Sequence, residues 1–261
     1  MTQLPFTLVQ LETFLMVFVR SSAILLAVPL FGSSYIATIS KVGLSLSIAW
    51  ALFPSVAVPP ELASVKLVQL VPALITEVLL GVTIGFTARL FFEGIQLGGQ
   101  LAGFQMGFGI VNVIDPFTGA NFSVIAQVQN LLATLLFIVL NMHHWFFKAV
   151  AQSFEVIPLF QCNMTEPLMQ WIVEMSSNMF IIAVKVAAPL MATLLFTTTA
   201  LGIIAKLVQG INIFIVAFPV KIAIGLVVLG LSMPMFALIV QKIFSPMGEY
   251  LYTIIRFGSV A

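Results

Sequence analysis

Arg20, Glu77, Arg89, Glu93, Lys185 and Lys221 stand within or at the end of long apolar stretches, where a charge must find a partner or a watery surface. On insertion scales each costs about 2.5–3.5 kcal/mol near a helix centre, whereas a strongly apolar residue returns only about 0.3–0.6 kcal/mol. For the stretch Leu67 to Phe92 the apolar gain is about 5–9 kcal/mol, against about 5–7 kcal/mol for Glu77 and Arg89 if both lie deep. A helix so close to break-even holds only if its charged stripe faces protein, a polar cavity or the aqueous edge. Ion pairing and proton transfer are the chemistries open to such groups.

Other reactive side chains carry weaker signals. His143 and His144 are adjacent and so point about 100° apart on a helix, whereas a zinc pair is usually four residues apart with a third ligand. With Trp145 and Lys148 beside them they read as an anchor at the headgroup level. Thr197, Thr198 and Thr199 suit back-bonding within a helix better than nucleophilic attack. The single cysteine, Cys162, excludes an intramolecular disulfide and a multi-cysteine metal site. No zinc-protease, nucleophile-elbow or phosphate-loop pattern occurs, so no enzyme, metal site or cofactor is expected.

Glycines supply the next pattern. Glu77, Gly81, Gly85, Arg89 and Glu93 follow one another at intervals of four, a stripe on which another helix can approach closely. Ordinary helix packing and a specific subunit interface both fit it. A second stripe, Gly99, Gly103 and Gly107, lies within the segment Gly94 to Phe122, which also bears Gln96, Gln100 and Gln105 and breaks at Asp115-Pro116. Non-helical backbone at membrane depth must be enclosed by protein or line a cavity. Met106, Phe108, Ile110, Val111, Asn112, Val113, Ile114, Asp115, Pro116 and Phe117 therefore read either as a hydrophobic stopper across a pore or as a re-entrant filler.

The elements that position these residues are apolar. Of 261 residues 61% are hydrophobic and only 7% charged, which defines a membrane-class chain. The formal charge of +1 argues against nucleic acid as a partner. The N-terminus carries Glu12 and no basic lead-in, so a cleaved signal peptide is not expected. Apolar runs cover Leu11–Phe31, Val42–Val58, Leu67–Phe92, Val124–Leu140, Met179–Ile204 and Ile211–Val240, most of them long enough for a spanning helix. Pro189, Pro219 and Pro234 are expected at kinks or ends. Gln152 to Gln170, with Pro158 and Pro167, is expected to be a loop and the main internal division. Lys41, Lys66, Lys148, Lys206 and Lys242 follow successive runs without alternating, so the positive-inside signal is weak.

Three separated motifs carry a family resemblance: QMGFGIVNVIDPFTG (Gln105 to Gly119), LLFIVLNMHHWFFKAVAQSFEVIPL (Leu135 to Leu159) and GINIFIVAFPVKIAIGL (Gly210 to Leu226). Together with Arg20, Pro29, Lys41 to Pro54 and Glu77, they make nearly the whole chain resemble the FliR family of flagellar export proteins, whose virulence-system counterparts are called SctT or SpaR. The resemblance implies an all-α fold of hydrophobic helical hairpins with a glycine-rich broken segment and a plug loop. Residues 1–170 would form a FliP-like part and residues 171–261 a FliQ-like hairpin and tail, with the Pro219 segment AFPVK closing that hairpin. It also implies assembly with FliP and FliQ homologues, association with FlhB, passage of unfolded flagellar export substrates, and a place in the flagellar basal body at the bacterial inner membrane, lifted toward the periplasm. Met106 to Phe117 would obstruct the resting channel, and the buried charges would pair with neighbouring subunits. A proton-coupled small-molecule transporter is the alternative that the residues leave open.

Overall fold

The computed structural model describes residues 7–33, 36–58, 67–108, 123–161, 165–207 and 213–259. Among them all regular structure is helical: α1 (Leu8–Ala27), α2 (Pro29–Gly32), α3 (Thr38–Leu52) with a 3-10 turn at Phe53–Ser55, α4 (Leu67–Met106), α5 (Val124–Val139), α6 (His143–Val156), α7 (Glu166–Leu207), α8 (Ile213–Phe244) and α9 (Met247–Phe257). The chain is all-α, and four helical stretches are long and apolar enough to cross a membrane.

Local chemistry sets several boundaries. Thr7 and Gln10 form a reciprocal capping box at the start of α1, and Ser123 caps α5 by accepting from the Ala126 amide. Pro29 opens α2, where its missing N–H costs nothing. The expected break at Asp115-Pro116 lies outside the described residues, and α4 runs unbroken from Gly94 to Met106 and ends at Gly107. Two expectations change. Pro189, Pro219 and Pro234 lie inside helices and end none of them, so the AFPVK segment is part of α8 and does not close a hairpin. The interval between α7 and α8, residues 208–212, is outside the described residues. The expected loop from Gln152 to Gln170 is helical at both ends, with Pro167 in the first turn of α7.

At 1.5 Å per residue the 40 residues of α4 and the 42 of α7 extend about 60 Å, twice the hydrocarbon thickness of a bilayer. Fitting either wholly inside would take a tilt of about 60°, beyond the range seen for spanning helices.

The helices form two compact units: residues 1–90, 141–175 and 245–261, and residues 91–140 and 176–244. In the first, α1 packs against α3, α6 against α9, and the stripe glycines of α4 against α1. A Cβ at Gly81 would lie 2.6 Å from the Ala23 Cβ and 2.9 Å from the Arg20 carbonyl, and one at Gly85 would strike Ala27 and come within 2.7 Å of the Ile24 carbonyl. The stripe is thus occupied by this chain's own first helix. In the second unit Phe91, Phe92, Phe137 and Phe244 pack ring on ring, with centroids 5.2–6.5 Å apart. Gly94 and Gly98 meet α7 at Met179, Ile182, Ala183 and Val186, while Gly99 and Gly103 meet α5 at Ala126, Gln129 and Ser123.

Gly85→Leu is expected to lower the stability of the folded chain by about 3 kcal/mol and to reduce its recovery in complex, because backbone atoms of α1 cannot move aside. Thermal unfolding in detergent checks this, and an unchanged midpoint would make the α1–α4 contact dispensable.

Candidate functional site

Two features of the described residues have the build of functional sites, one in each unit. The first is a buried charge cluster. Arg20 on α1 and Glu77 on α4 are both essentially without solvent contact. Arg20 Nε donates to Glu77 Oε2, and Nη2 donates to Oε1 at 3.0 Å, a bidentate fork. Its Nη1 donates to the carbonyls of Ser153 at 2.9 Å and Ile157 at 2.7 Å, at the C-terminal end of α6. The guanidinium carbon also lies 4.5 Å from the centroid of Phe154.

Each partner has its reason. Ile157 caps α6, so its carbonyl is one of those that the helix leaves without an internal acceptor role, and a cation there complements the helix dipole. Gly81, one turn beyond Glu77, lets α4 come close enough to α1 for the fork to close. Four of the five arginine N–H donors are thereby used. The arrangement holds charge without exposing it, and Glu77 has no open path to act as a proton carrier while Arg20 occupies both its oxygens.

The other expected charges are placed differently. Arg89 and Lys185 are exposed, and Glu93 and Lys221 are partly exposed. Arg89 and Glu93 engage in interactions of their own. The sequence identified Arg20 and Glu77 as costly charges but did not show that they belong together, since 57 residues separate them.

The second feature is the foot of the glycine-rich segment. Gly107 adopts φ +97, and the Gly107 amide donates to the Phe104 carbonyl while the Phe108 amide donates to Gly103. This is a Schellman termination of α4, for which glycine is the favoured residue because the left-handed backbone clashes with a Cβ. Gly107 therefore ends the helix, and it is also a close contact, since a Cβ there would lie 2.8 Å from the Phe218 ring of α8, whereas Gly99 and Gly103 face Ala126, Gln129 and Ser123. Met106 is fully buried in a core with Ala102, Ile125, Leu190, Leu194 and Leu229, and Phe108 packs against the same cluster. The Met106 side chain fills the space over Gly225, where a Cβ would lie 2.6 Å from its Cγ. The returning chain is tied down at Ser123, whose hydroxyl sits over Gly103. Ile110, Val111, Asn112, Val113, Ile114, Asp115, Pro116 and Phe117 lie outside the described residues. Among the described residues there is no group of three side chains able to hold a metal ion.

Arg20→Met should destabilise the chain by about 3–5 kcal/mol, because it leaves the Glu77 carboxylate buried and unpaired. The double variant Arg20→Met with Glu77→Leu should regain most of that loss, a coupling measurable by a thermal double-mutant cycle. Additive losses would show that the two side chains do not act as a pair.

Comparison with known proteins extends the picture across the chain. The family pattern described as bacterial export proteins, family 1, matches residues 11–247. The chain is 34% identical to the flagellar biosynthetic protein FliR of Bacillus subtilis over 235 residues, covering 89% of this chain and 90% of that protein. It is 30% identical to FliR of Pectobacterium carotovorum over 238 residues, covering 91% and 90%. To FliR of Escherichia coli it is 26% identical over 236 residues, covering 90% of each. A pattern that takes in α1 through the start of α9, together with relatives of matching length, places both the Arg20–Glu77 cluster and the Gly107 helix end within the shared region, and the chain belongs to the FliR family of bacterial export proteins.

Proposed function

We propose that this chain is a core, non-enzymatic component of a flagellar type III protein export gate. It forms, with FliP and FliQ homologues and in association with FlhB, the channel through which unfolded flagellar subunits pass. It contributes a plug, about Met106 to Phe117, that limits leakage. Energy for transport comes from other parts of the machine, since the sequence has no nucleotide-binding pattern.

The single observation that carries this reading is the family relationship over nearly the full chain. The geometry supports it physically. Large apolar side chains are exposed along the whole of α7, from Met169 and Val173 through Phe180 and Leu195 to Phe196 and Leu207. A bilayer about 30 Å thick covers only half of a helix that long, so the remainder needs protein neighbours. The FliP and FliQ homologues are proposed as those neighbours, and a position lifted toward the periplasm follows from the same reasoning. At the start of the proposed plug, the Schellman end of α4 and the buried Met106 give the segment a fixed foot. The alternative of a proton-coupled small-molecule transporter is less well supported, because Glu77, the most deeply buried acid among the described residues, is fully engaged by Arg20.

Affinity-tagged chain, coexpressed with FliP and FliQ homologues, is expected to copurify with both and to be poorly behaved alone. A stable monomer that takes up small solutes in liposomes would overturn the proposal. Deleting Val111 to Phe117 is expected to leave the complex assembled but to raise its ion conductance in planar bilayers. Unchanged conductance would remove the plug assignment while leaving the gate assignment standing.

A further inference from the structure

Helices α6 and α9 are short and amphipathic, and each follows an apolar helix after a turn of a few residues, α6 after α5 and α9 after α8. Within their unit they lie side by side and run the same way, since Gly248 meets Trp145 near their starts and Gly258 meets Ile157 near their ends. Their apolar faces are buried, through Phe146, Val150 and Phe154 on α6 and Leu251, Ile254 and Ile255 on α9. The opposite faces present aromatic and basic groups. Trp145 is 41% exposed and Tyr252 48% exposed, and Lys148 is exposed with its Nζ 4.9 Å from the centroid of the Trp145 ring.

The indole is held in place. A Cβ on Gly248 would lie 2.6 Å from Trp145 Cε3, so the ring rests directly on glycine backbone at the first turn of α9. A ring supported by its own fold, half open and carrying an ammonium, offers an apolar body and a cation side by side.

We infer that this face is a membrane-interface anchor that binds phospholipid headgroups, with Trp145 and Tyr252 at the glycerol level and Lys148 on a lipid phosphate. Tryptophan and tyrosine concentrate where apolar and aqueous media meet, and amphipathic helices with basic residues lie in that plane. The connectivity places the same boundary here, because both helices begin where an apolar helix has just ended. Glu155 and Glu249 are exposed on the same two helices, as is Arg256 at the far end of α9, so the attraction beside Trp145 comes from Lys148 and not from a broad basic surface. The inference does not depend on the export reading.

The test uses the full-length protein in vesicles of phosphatidylcholine and phosphatidylglycerol brominated near either the glycerol end or the methyl end of the acyl chains. In a Trp50→Phe, Trp171→Phe background, where Trp145 is the remaining indole, emission is expected to fall more with the shallow bromines than with the deep ones, and in the otherwise unaltered chain Trp145→Phe should lower the shallow quenching. Lys148→Glu should reduce the shallow quenching about two-fold or more in phosphatidylglycerol-rich vesicles. Tyr252→Trp, an added reporter at an exposed position, should gain shallow quenching and covers the case in which Trp145→Phe does not fold. Three results would overturn the inference: stronger quenching of the Trp145 component by deep bromines, which puts it mid-bilayer; resistance to both bromines and aqueous iodide, which means a protein partner covers it; and quenching by iodide alone, which puts it in water.

Discussion

The first unit depends on a guanidinium placed where three helices meet. Arg20 draws together Glu77 on α4 and the last turn of α6, groups 57 and 133 or more residues away in sequence. Moving such charges out of water costs several kcal/mol each, and an apolar core of similar volume is often no less stable. What the fork supplies is direction. A planar group with donors in fixed positions accepts one arrangement of the carboxylate and the two carbonyls, whereas packed leucines would tolerate several. Lysine could not do the same, because a single ammonium has three donors on a flexible stem and no bidentate match.

Close backbone approach is the second constraint, and it shows how far the sequence could be read. The spacing of Gly81 and Gly85 announced a helix contact, and the contact exists. The neighbour could not be named, because a glycine stripe specifies distance and leaves the identity of what fills it open. Gly94 and Gly98, which face α7, were not singled out, since their partners lie some 85 residues away and only the fold brings them near. Gly107 keeps the four-residue spacing of Gly99 and Gly103 and comes close to Phe218, and it has the added purpose of ending α4. Spacing alone cannot distinguish a glycine chosen for its missing side chain from one chosen for a positive φ. The all-α class and the length of the apolar runs were legible because composition and hydropathy determine them directly.

The prolines were expected at kinks or ends, and their place inside helices excludes only the ends, for a physical reason. In water a proline inside a helix loses one hydrogen bond and adds a clash, about 3 kcal/mol, and the chain has the option of stopping there. In apolar surroundings stopping is the costlier choice, because every backbone group released must find another partner. Helices α7 and α8 therefore run through Pro189, Pro219 and Pro234. The hydroxyl of Thr193 bonds back to the Pro189 carbonyl at 2.9 Å, one of a series in which Thr197, Thr198 and Thr199 likewise satisfy themselves on their own helix. Back-bonding within the helix is what the sequence leads one to expect of Thr197, Thr198 and Thr199.

Helix length and charge placement resolve the weak topology signal together. Arg89 falls near the middle of α4 and Lys185 near the middle of α7, and both are exposed in this chain. If either helix were centred in a bilayer, its basic residue would sit at the depth where insertion costs about 2.5–3.5 kcal/mol. Sliding the helix by about a quarter of its length, ~15 Å, would bring that residue to the edge of the hydrocarbon and leave about 30 Å of apolar helix outside it. One displacement removes the charge penalty and the length mismatch at once. It also creates the need for protein to cover the emergent half. The positive-inside rule counts lysines and arginines on loops between spans that fit the membrane. It would lose its meaning for helices that were each part span and part assembly surface, which is what the proposed gate requires of them.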